Sequence, residues 1–180
     1  MSEIQLFINL KIPDNVERTA LYACKSRLGF DFLASLRRTE FWEIDFPGLS
    51  SQQARQTAER FVEKTSLFAN PNKHRWRIEN VDRSVQRNGT ISVPPPVSAL
   101  ILVCDREDGT AESALEFLQR TNLGEEQPSS LIRGVLWEVT FTDLTPEAVS
   151  EAAEKLAVTV HRNQGLFANP HYQTYHIYYP

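Results

Sequence analysis

The sequence predicts an α+β protein made of two β-α-β-α-β units, and three observations support this prediction. A pentapeptide that begins at Leu67 returns near the end of the chain at Leu166. A Trp-Glu pair at Trp42 returns in the same order at Trp137, and the separations are 99 and 95 residues respectively. Strand-like and helix-like patterns follow one another in the same order around both copies. We therefore predict an internal duplication of one small unit.

The first half of unit one reads as strand, helix and strand. Apolar residues alternate with polar ones from Ile4 to Leu10, which predicts a half-buried strand. Helical spacing follows and ends at Gly29, a residue type that commonly terminates helices. A long second strand is predicted from Leu36 to Phe46, with its aromatic and aliphatic residues on one face.

The rest of unit one reads as helix and strand. Ser50 followed by Gln53 is the pattern of a capping box at the start of a helix. Pro71 is predicted to end that helix, because proline cannot continue one. The third strand is predicted from His74 to Glu79.

The second unit repeats this order. Ala99 to Val103 is apolar throughout, which predicts a strand more central than its counterpart in unit one. Thr110 is predicted to cap the next helix, and Leu131 to Phe141 is the long strand. A Thr-Pro pair at 145–146 predicts the start of the last helix, and the final strand spans 173–179.

The predicted domains are residues 1–82, a linker at 83–97, and residues 98–180. The linker contains Asn88-Gly89, a turn signal, and Pro94-Pro95-Pro96, which favours extended backbone. We expect mostly antiparallel sheets with helices on one face. Units of this size bury a limited share of their surface, so we expect the two to form a covalent pseudo-dimer.

Composition indicates a globular protein. Apolar residues make up 41% of the chain and charged residues 23%. No apolar run approaches the roughly 20 residues that span a membrane, and the residues after Met1 lack the pattern of a signal peptide. Cys24 and Cys104 are predicted to be free thiols in a reducing compartment. These observations predict a cytoplasmic location.

The net charge of −4 is unevenly distributed. Residues 1–89 hold 14 basic and 11 acidic side chains, whereas residues 90–180 hold 5 basic and 12 acidic ones. The two copies therefore present different surfaces, which fits contacts with different partners. Divergence of solvated positions without any functional cause is the alternative.

Sequence patterns of catalysis are missing from the chain. There is no glycine-rich phosphate loop, no histidine and cysteine spacing typical of zinc, and no nucleophile elbow. We predict no catalytic residues, no metal and no cofactor.

Two features could bind a partner. Lys73, Arg75 and Arg77 alternate and therefore share one strand face, which suits a phosphate or nucleic-acid stripe. Cations that guard a strand edge against aggregation are the commoner cause of this pattern. Four tyrosines between 172 and 179 suit an interface or, as a lesser alternative, base stacking.

Taken in order, the repeated motifs resemble PurS, the small subunit of bacterial phosphoribosylformylglycinamidine (FGAM) synthase. The likeness covers both copies, which share a strand end with a Trp-Glu pair and an Ala-Asn-Pro before the last strand. A Leu-Gly-Phe after the first helix is present in copy one, and the Arg and the Gly of the family's strand are each matched in one copy only. The residues that carry it are Leu28, Gly29, Phe30, Arg37, Trp42, Glu43, Ala69, Asn70, Pro71, Gly134, Trp137, Glu138, Ala168, Asn169 and Pro170.

The chain departs from the family in two places. The glycine-containing loop of the family after strand one is reduced to residues 11–14 in the first copy and 105–109 in the second. Thr39 and Glu40 replace the Gly-Lys pair of the family. PurS is also a single unit of about half this length that dimerises.

The resemblance implies an assembly role. PurS joins the glutaminase subunit to the large ATP-dependent synthetase subunit and supports ammonia transfer, without catalytic residues of its own. This chain would act as such a subunit, and the pseudo-dimer could pair again as a homodimer. A small-ligand or regulatory module, with a metabolite between its halves and no purine role, is the alternative. A nucleic-acid role is disfavoured by the acidic net charge.

Overall fold

The computed structural model describes residues 2–81, 97–121, 123, 126–158 and 165–179. Within these residues the protein is α+β, with six strands and four helices, and the order of element types is the predicted one. The elements are β1 (Ser2–Leu10), α1 (Asn15–Leu28), β2 (Leu33–Phe46), α2 (Ser51–Lys64), β3 (His74–Val81), β4 (Ser98–Asp105), α3 (Gly109–Arg120), β5 (Ser130–Phe141), α4 (Pro146–Ala157) and β6 (Gln173–Tyr178).

The strands form one six-stranded sheet in the order β3-β1-β2-β5-β4-β6. β1 pairs antiparallel with β2 and β3, so that Leu6 lies opposite both Trp42 and Ile78. β4 pairs antiparallel with β5 and β6, and Ile101 lies opposite both Trp137 and Ile177. The prediction that β4 is the more central strand is wrong, because β1 and β4 each lie one strand in from an edge.

The chain divides into two compact units that do not follow the sequence from end to end. Unit 1 contains Met1–Ile12, Glu40–Thr90 and Glu107–Arg133; unit 2 contains Pro13–Thr39, Ile91–Arg106 and Gly134–Pro180. Each unit therefore draws segments from both halves of the sequence. The boundaries 1–82, 83–97 and 98–180 stay a prediction about sequence repeats, and most of the linker, including Pro94 to Pro96, lies outside the described residues.

The core of unit 1 combines the first strands with a helix from later in the chain. Apolar side chains of β1 and β2 alternate toward one face and pack with the buried stripe of α2. Ala111, Ala114 and Leu118 of α3 complete this core. The apolar residues of α3 are thus buried with strands that precede it by about 65 to 110 residues in the chain.

The core of unit 2 is built in the corresponding way. β4, β5 and α4 supply most of its buried side chains. Ala20 and Cys24 come from α1, which follows β1 in the sequence but packs in this unit. Each unit is therefore stabilised by a helix that lies in the opposite half of the sequence.

Several local predictions are confirmed by the structure. Gly29 adopts the left-handed conformation at the end of α1, with φ of 73°. Ser50 and Gln53 form the predicted capping box at the start of α2. Pro146 occupies the start of α4, although Thr145 makes no side-chain capping bond there.

Three local predictions are wrong. β1 is buried on both faces rather than on one, since Gln5 is only 3% exposed. Thr110 does not cap α3; Asp108 does, because its carboxylate accepts the first free N–H groups of the helix. Pro71 does not end α2, which stops at Lys64. Likewise α4 stops at Ala157, well before Pro170.

Candidate functional site

The Ala-Asn-Pro element of unit 1 is a tight hydrogen-bonded turn that leads into β3. Ala69 is buried, while the side chain of Asn70 accepts the backbone N–H of Asn72 at 2.9 Å. The carbonyl of Asn70 accepts the N–H groups of Lys73 and His74 at 2.9 and 2.8 Å. The N–H of Asn70 in turn donates to Nδ1 of His74 at 3.0 Å. One asparagine thus fixes the whole turn.

The element in unit 2 has the same set of bonds. Asn169 Oδ1 accepts the N–H of His171 at 3.1 Å. Its carbonyl accepts the N–H groups of Tyr172 and Gln173 at 3.1 and 2.8 Å, and its own N–H donates to Gln173 Oε1 at 2.9 Å. Ala168 is again buried beneath the turn. The two elements therefore share a function within the fold, which is to position the last strand of each unit.

A basic residue from the preceding strand end is bonded to each turn. In unit 1 the N–H of Lys11 donates to the carbonyl of Lys73 at 2.8 Å, and its Nζ donates to the carbonyl of Pro71 at 2.6 Å. In unit 2 the guanidinium of Arg106 donates to the carbonyl of Pro170 at 3.3 Å. Both residues lie in the loops that directly follow β1 and β4.

Asp14 and Asp108, which follow in those loops, cap helices and bind arginines, and no sequence motif had predicted these roles. Asp14 accepts the N–H of Val16 at 2.8 Å, and its second oxygen lies 3.2 Å from Nη1 of Arg38. Asp108 caps α3, and its second oxygen lies 3.5 Å from Nη1 of Arg133. These pairs lie at matching places in the two copies, which is the sequence signal that could have identified them.

Trp42, in unit 1, is closed off by its neighbours. Its ring is 2% exposed and meets Phe68 edge-on at 5.0 Å. Its Nε1 donates to Oε1 of Glu40 at 3.1 Å. The guanidinium of Arg133 lies 5.7 Å from the ring centre and 3.4 Å from Glu40. The polar atom and the remaining ring surface of Trp42 are therefore both occupied.

Trp137, in unit 2, borders an open groove instead. Its ring stacks on Phe167 at 4.4 Å with an interplanar angle of 19°. Val135 stands where Glu40 stands before Trp42, and among the described residues no side chain accepts a bond from Trp137 Nε1. The groove has a volume of about 480 Å³ and is lined by Asn15, Val16, Thr19, Ala20, Ala23, Trp137, Leu166 and Phe167.

A second groove lies in unit 1 at the end of α2. It has a volume of about 620 Å³ and is lined by Lys64, Thr65, Ser66, Leu67, Phe117 and Leu123. Trp42 is not among its lining residues, so the two grooves offer different chemistry.

The Leu-Gly-Phe motif serves the end of α1. Gly29 and Phe30 both donate their N–H groups to the carbonyl of Cys24. Phe30 is buried in the core of unit 2, and Leu28 packs against that core. These three residues therefore have a structural role.

The remaining residues of the PurS resemblance lie in the long strands. Arg37 and Glu138 come together at 4.0 Å, but Arg37 is 75% exposed, so the pair adds little stability. Glu43 accepts a bond from Gln5 Nε2 at 3.1 Å. Gly134 has a clear steric reason: a Cβ there would lie 2.7 Å from both the sulfur of Cys104 and the carbonyl oxygen of Val103.

The basic stripe lies at the start of β3 and in the turn before it. Lys73 lies in the turn before β3, and Arg75 is exposed on that strand. Arg77 stacks over the ring of Phe7, 4.3 Å from its centre, and forms an ion pair with Glu79. All three cations are nevertheless exposed.

The tyrosines near the C-terminus do not act as one surface. Tyr172 is 73% exposed, whereas Tyr179 packs against the core of unit 2. Burial raises the pKa of Tyr179 to about 12, and the hydrogen bond to Glu154 at 3.0 Å adds to this shift. Tyr179 thus donates a structural hydrogen bond.

The described residues contain no group of three or more His, Cys, Asp or Glu side chains placed to hold a metal ion. No helix among these residues is both long enough and apolar enough to cross a membrane. Cys24 is buried, and desolvation raises the pKa of its thiol to about 11, which suppresses the reactive thiolate.

Comparisons with family models, with curated proteins and with solved structures find no match to this chain.

Proposed function

We propose that the chain is a non-catalytic assembly subunit of a glutamine-dependent FGAM synthase, similar to PurS. The observation that carries the proposal is the pair of Ala-Asn-Pro turns, which share their buried alanine, their asparagine bonds and their basic partner residue. They are the residues on which the resemblance to PurS rests most, and their bonds explain why asparagine is needed at 70 and 169.

An internal duplication that forms a covalent pseudo-dimer is part of this proposal. It is supported by matching residues at two further places: the caps Asp14 and Asp108, and the arginines that bind them. It is also supported by the origin of the helices, because each unit takes one helix from the opposite half of the sequence. Two copies that exchanged a helix and then became one chain would have this arrangement.

The partners in this proposal are the large synthetase subunit and the glutaminase subunit. The charge difference between residues 1–89 and 90–180 does not follow the two units, because each unit contains segments of both halves. Lys73 and Arg75 are exposed near the turn of unit 1, and they are the proposed cationic contacts there. Arg77 is the third proposed contact, because it is 58% exposed although it also contacts Phe7 and Glu79.

A small-ligand or regulatory role without a purine function is the second candidate. The groove beside Trp137 favours it, since a 480 Å³ apolar groove with few polar groups is typical of small-molecule sites. The two roles are separable, because one requires partner subunits and the other does not.

Complex formation tests the assembly role. The tagged chain is mixed with the synthetase and glutaminase of its own organism, with glutamine and nucleotide present, and the mass of the complex is measured in solution. We expect a complex that contains all three proteins. Arg75→Glu should weaken it, whereas Arg60→Glu, an exposed change on α2, should not. Absence of any complex, with and without both small molecules, would overturn the proposal.

A further inference from the structure

We infer that the groove of unit 2 binds a small, uncharged, planar aromatic molecule that carries a hydrogen-bond acceptor. Its volume of about 480 Å³ falls within the range of about 300–1,000 Å³ that small-molecule sites occupy. None of the described side chains that line it is charged, so a charged ligand would lose its hydration without gaining an ion partner among them. This inference is independent of the assembly role.

The shape of the groove favours a flat ring. Trp137 and Phe167 stack nearly parallel, so each covers one face of the other, and a ligand ring can meet the pair at an outer face or edge-on, both of which are favourable aromatic contacts. From α1, Ala20 and Ala23 contribute only methyl groups to the lining. Val16 is 54% exposed at the groove and supplies further apolar surface. A planar ring can therefore contact this aromatic pair without displacing a large side chain.

The need for an acceptor follows from the indole N–H of Trp137. A tryptophan N–H in an apolar setting usually has a partner, and that of Trp42 bonds to Glu40 at 3.1 Å. At the matching place before Trp137 stands Val135, which cannot accept a hydrogen bond. No described residue takes this role, so a ligand acceptor would complete the bond.

The two units provide an internal comparison. Ala23 lies nine residues after the capping residue Asp14, and Phe117 lies nine residues after the capping residue Asp108. A methyl group in unit 2 is thus replaced by a large ring at the equivalent position in unit 1. Because Glu40 also closes Trp42 there, we expect no equivalent ligand site beside Trp42.

The test uses quinoline, a flat bicyclic molecule with one acceptor nitrogen and no donor. The chain is labelled with ¹⁵N, and the indole N–H signals of Trp42, Trp76 and Trp137 are followed as quinoline is added at neutral pH. We expect a saturable shift of the Trp137 signal with a Kd of about 1 mM, as befits so small a molecule. The other two signals should stay in place.

Indole is the matched probe, because it has a similar flat shape but carries a donor in place of the acceptor. It should bind the wild-type chain at least threefold more weakly than quinoline. Equal affinity for the two probes, or no saturable shift at Trp137, would overturn the inference. A Trp137 shift that grows with protein concentration alone would also overturn it, because a second copy of the chain would then occupy the groove.

Two variants of α1 complete the test. Ala23→Phe introduces the residue found at the equivalent position of α3, and it should abolish the quinoline shift while the remaining amide signals stay dispersed. Tyr22→Phe, an exposed change outside the lining, should bind as the wild type does. If the folded Ala23→Phe variant still binds quinoline, the inference is contradicted. If that variant does not fold, the comparison of quinoline with indole on the wild-type chain tests the inference.

Discussion

The backbone N–H of Asn70 donates to Nδ1 of His74 at 3.0 Å, and in unit 2 the equivalent N–H of Asn169 donates to Oε1 of Gln173 at 2.9 Å. The two acceptors differ in chemistry but lie four residues after the asparagine in both cases. The turn therefore requires an acceptor at this position rather than a particular residue.

This relationship predicts an asymmetric mutational response at His74. His74→Gln copies the residue of the other turn and should change the free energy of unfolding by less than about 0.5 kcal/mol. His74→Ala leaves the N–H of Asn70 without its acceptor and should cost about 1 kcal/mol. Urea unfolding of the two variants measures this difference. Equal losses would show that the bond contributes nothing specific.

Removal of the aspartate that caps α1 should destabilise unit 2. Asp14→Ala removes a helix cap and the partner of Arg38 together, so we expect a loss of about 1–2 kcal/mol in the free energy of unfolding. Asp31→Ala removes an exposed carboxylate in a turn and serves as the control, with a change within about 0.5 kcal/mol. A loss no larger than that of the control would contradict the role of Asp14.

The close contact of Gly134 with β4 predicts that any side chain at this position destabilises the fold. Gly134→Ala places a Cβ only 2.7 Å from backbone and sulfur atoms of β4, so the strands must shift. We expect a loss of about 1–3 kcal/mol. Gly109→Ala is the matched control, because nothing lies within 4 Å of its added Cβ and its backbone is helical. Calorimetric unfolding compares the two, and equal effects would refute the steric explanation.

The burial of Cys24 predicts that the free energy of unfolding falls at alkaline pH. Burial raises the pKa of its thiol from 9.0 to about 11 in the folded chain. The folded pKa is the higher one, so this contribution is fully present below pH 9 and is lost as pH rises toward about 11. Tyr179, whose pKa is raised from 10.0 to about 12, adds a loss that begins at higher pH.

The measurement is the melting temperature of wild type and Cys24→Ala between pH 9 and 10, below the range where Tyr179 contributes. The wild-type value should fall more steeply, because only the wild type has a buried thiol that must stay protonated. Parallel curves would show that Cys24 does not titrate differently in the folded and unfolded chain.

Local patterns were enough to predict the element order. Alternation in β2 and β5, the glycine at the end of α1 and the capping box of α2 all depend on residues close together in sequence. The proline prediction failed for the same reason. Pro71 cannot continue a helix, but Thr65 had already ended α2, and its N–H and hydroxyl both bond the carbonyl of Phe61.

The exchange of helices could not be predicted from these patterns. The buried stripes of α1 and α3 indicate that each helix packs on a sheet. The spacing of the buried residues does not indicate which strands they contact; these residues are Ala20 and Cys24 in α1 and Ala114 and Leu118 in α3. The difference between Trp42 and Trp137 was hidden for a similar reason. The difference comes from two pairs of equivalent positions: unit 1 has Glu40 where unit 2 has Val135, and Phe117 where unit 2 has Ala23. These residues come close to the tryptophans or grooves only in the folded chain.

Glutamine-dependent formation of FGAM tests the central claim most directly. The synthetase and glutaminase subunits of the same organism are assayed with formylglycinamide ribonucleotide, ATP and glutamine, in the presence and in the absence of this chain. The account predicts that glutamine supports the reaction only when the chain is present, whereas added ammonia supports it in both cases. Equal glutamine-dependent rates with and without the chain would contradict it.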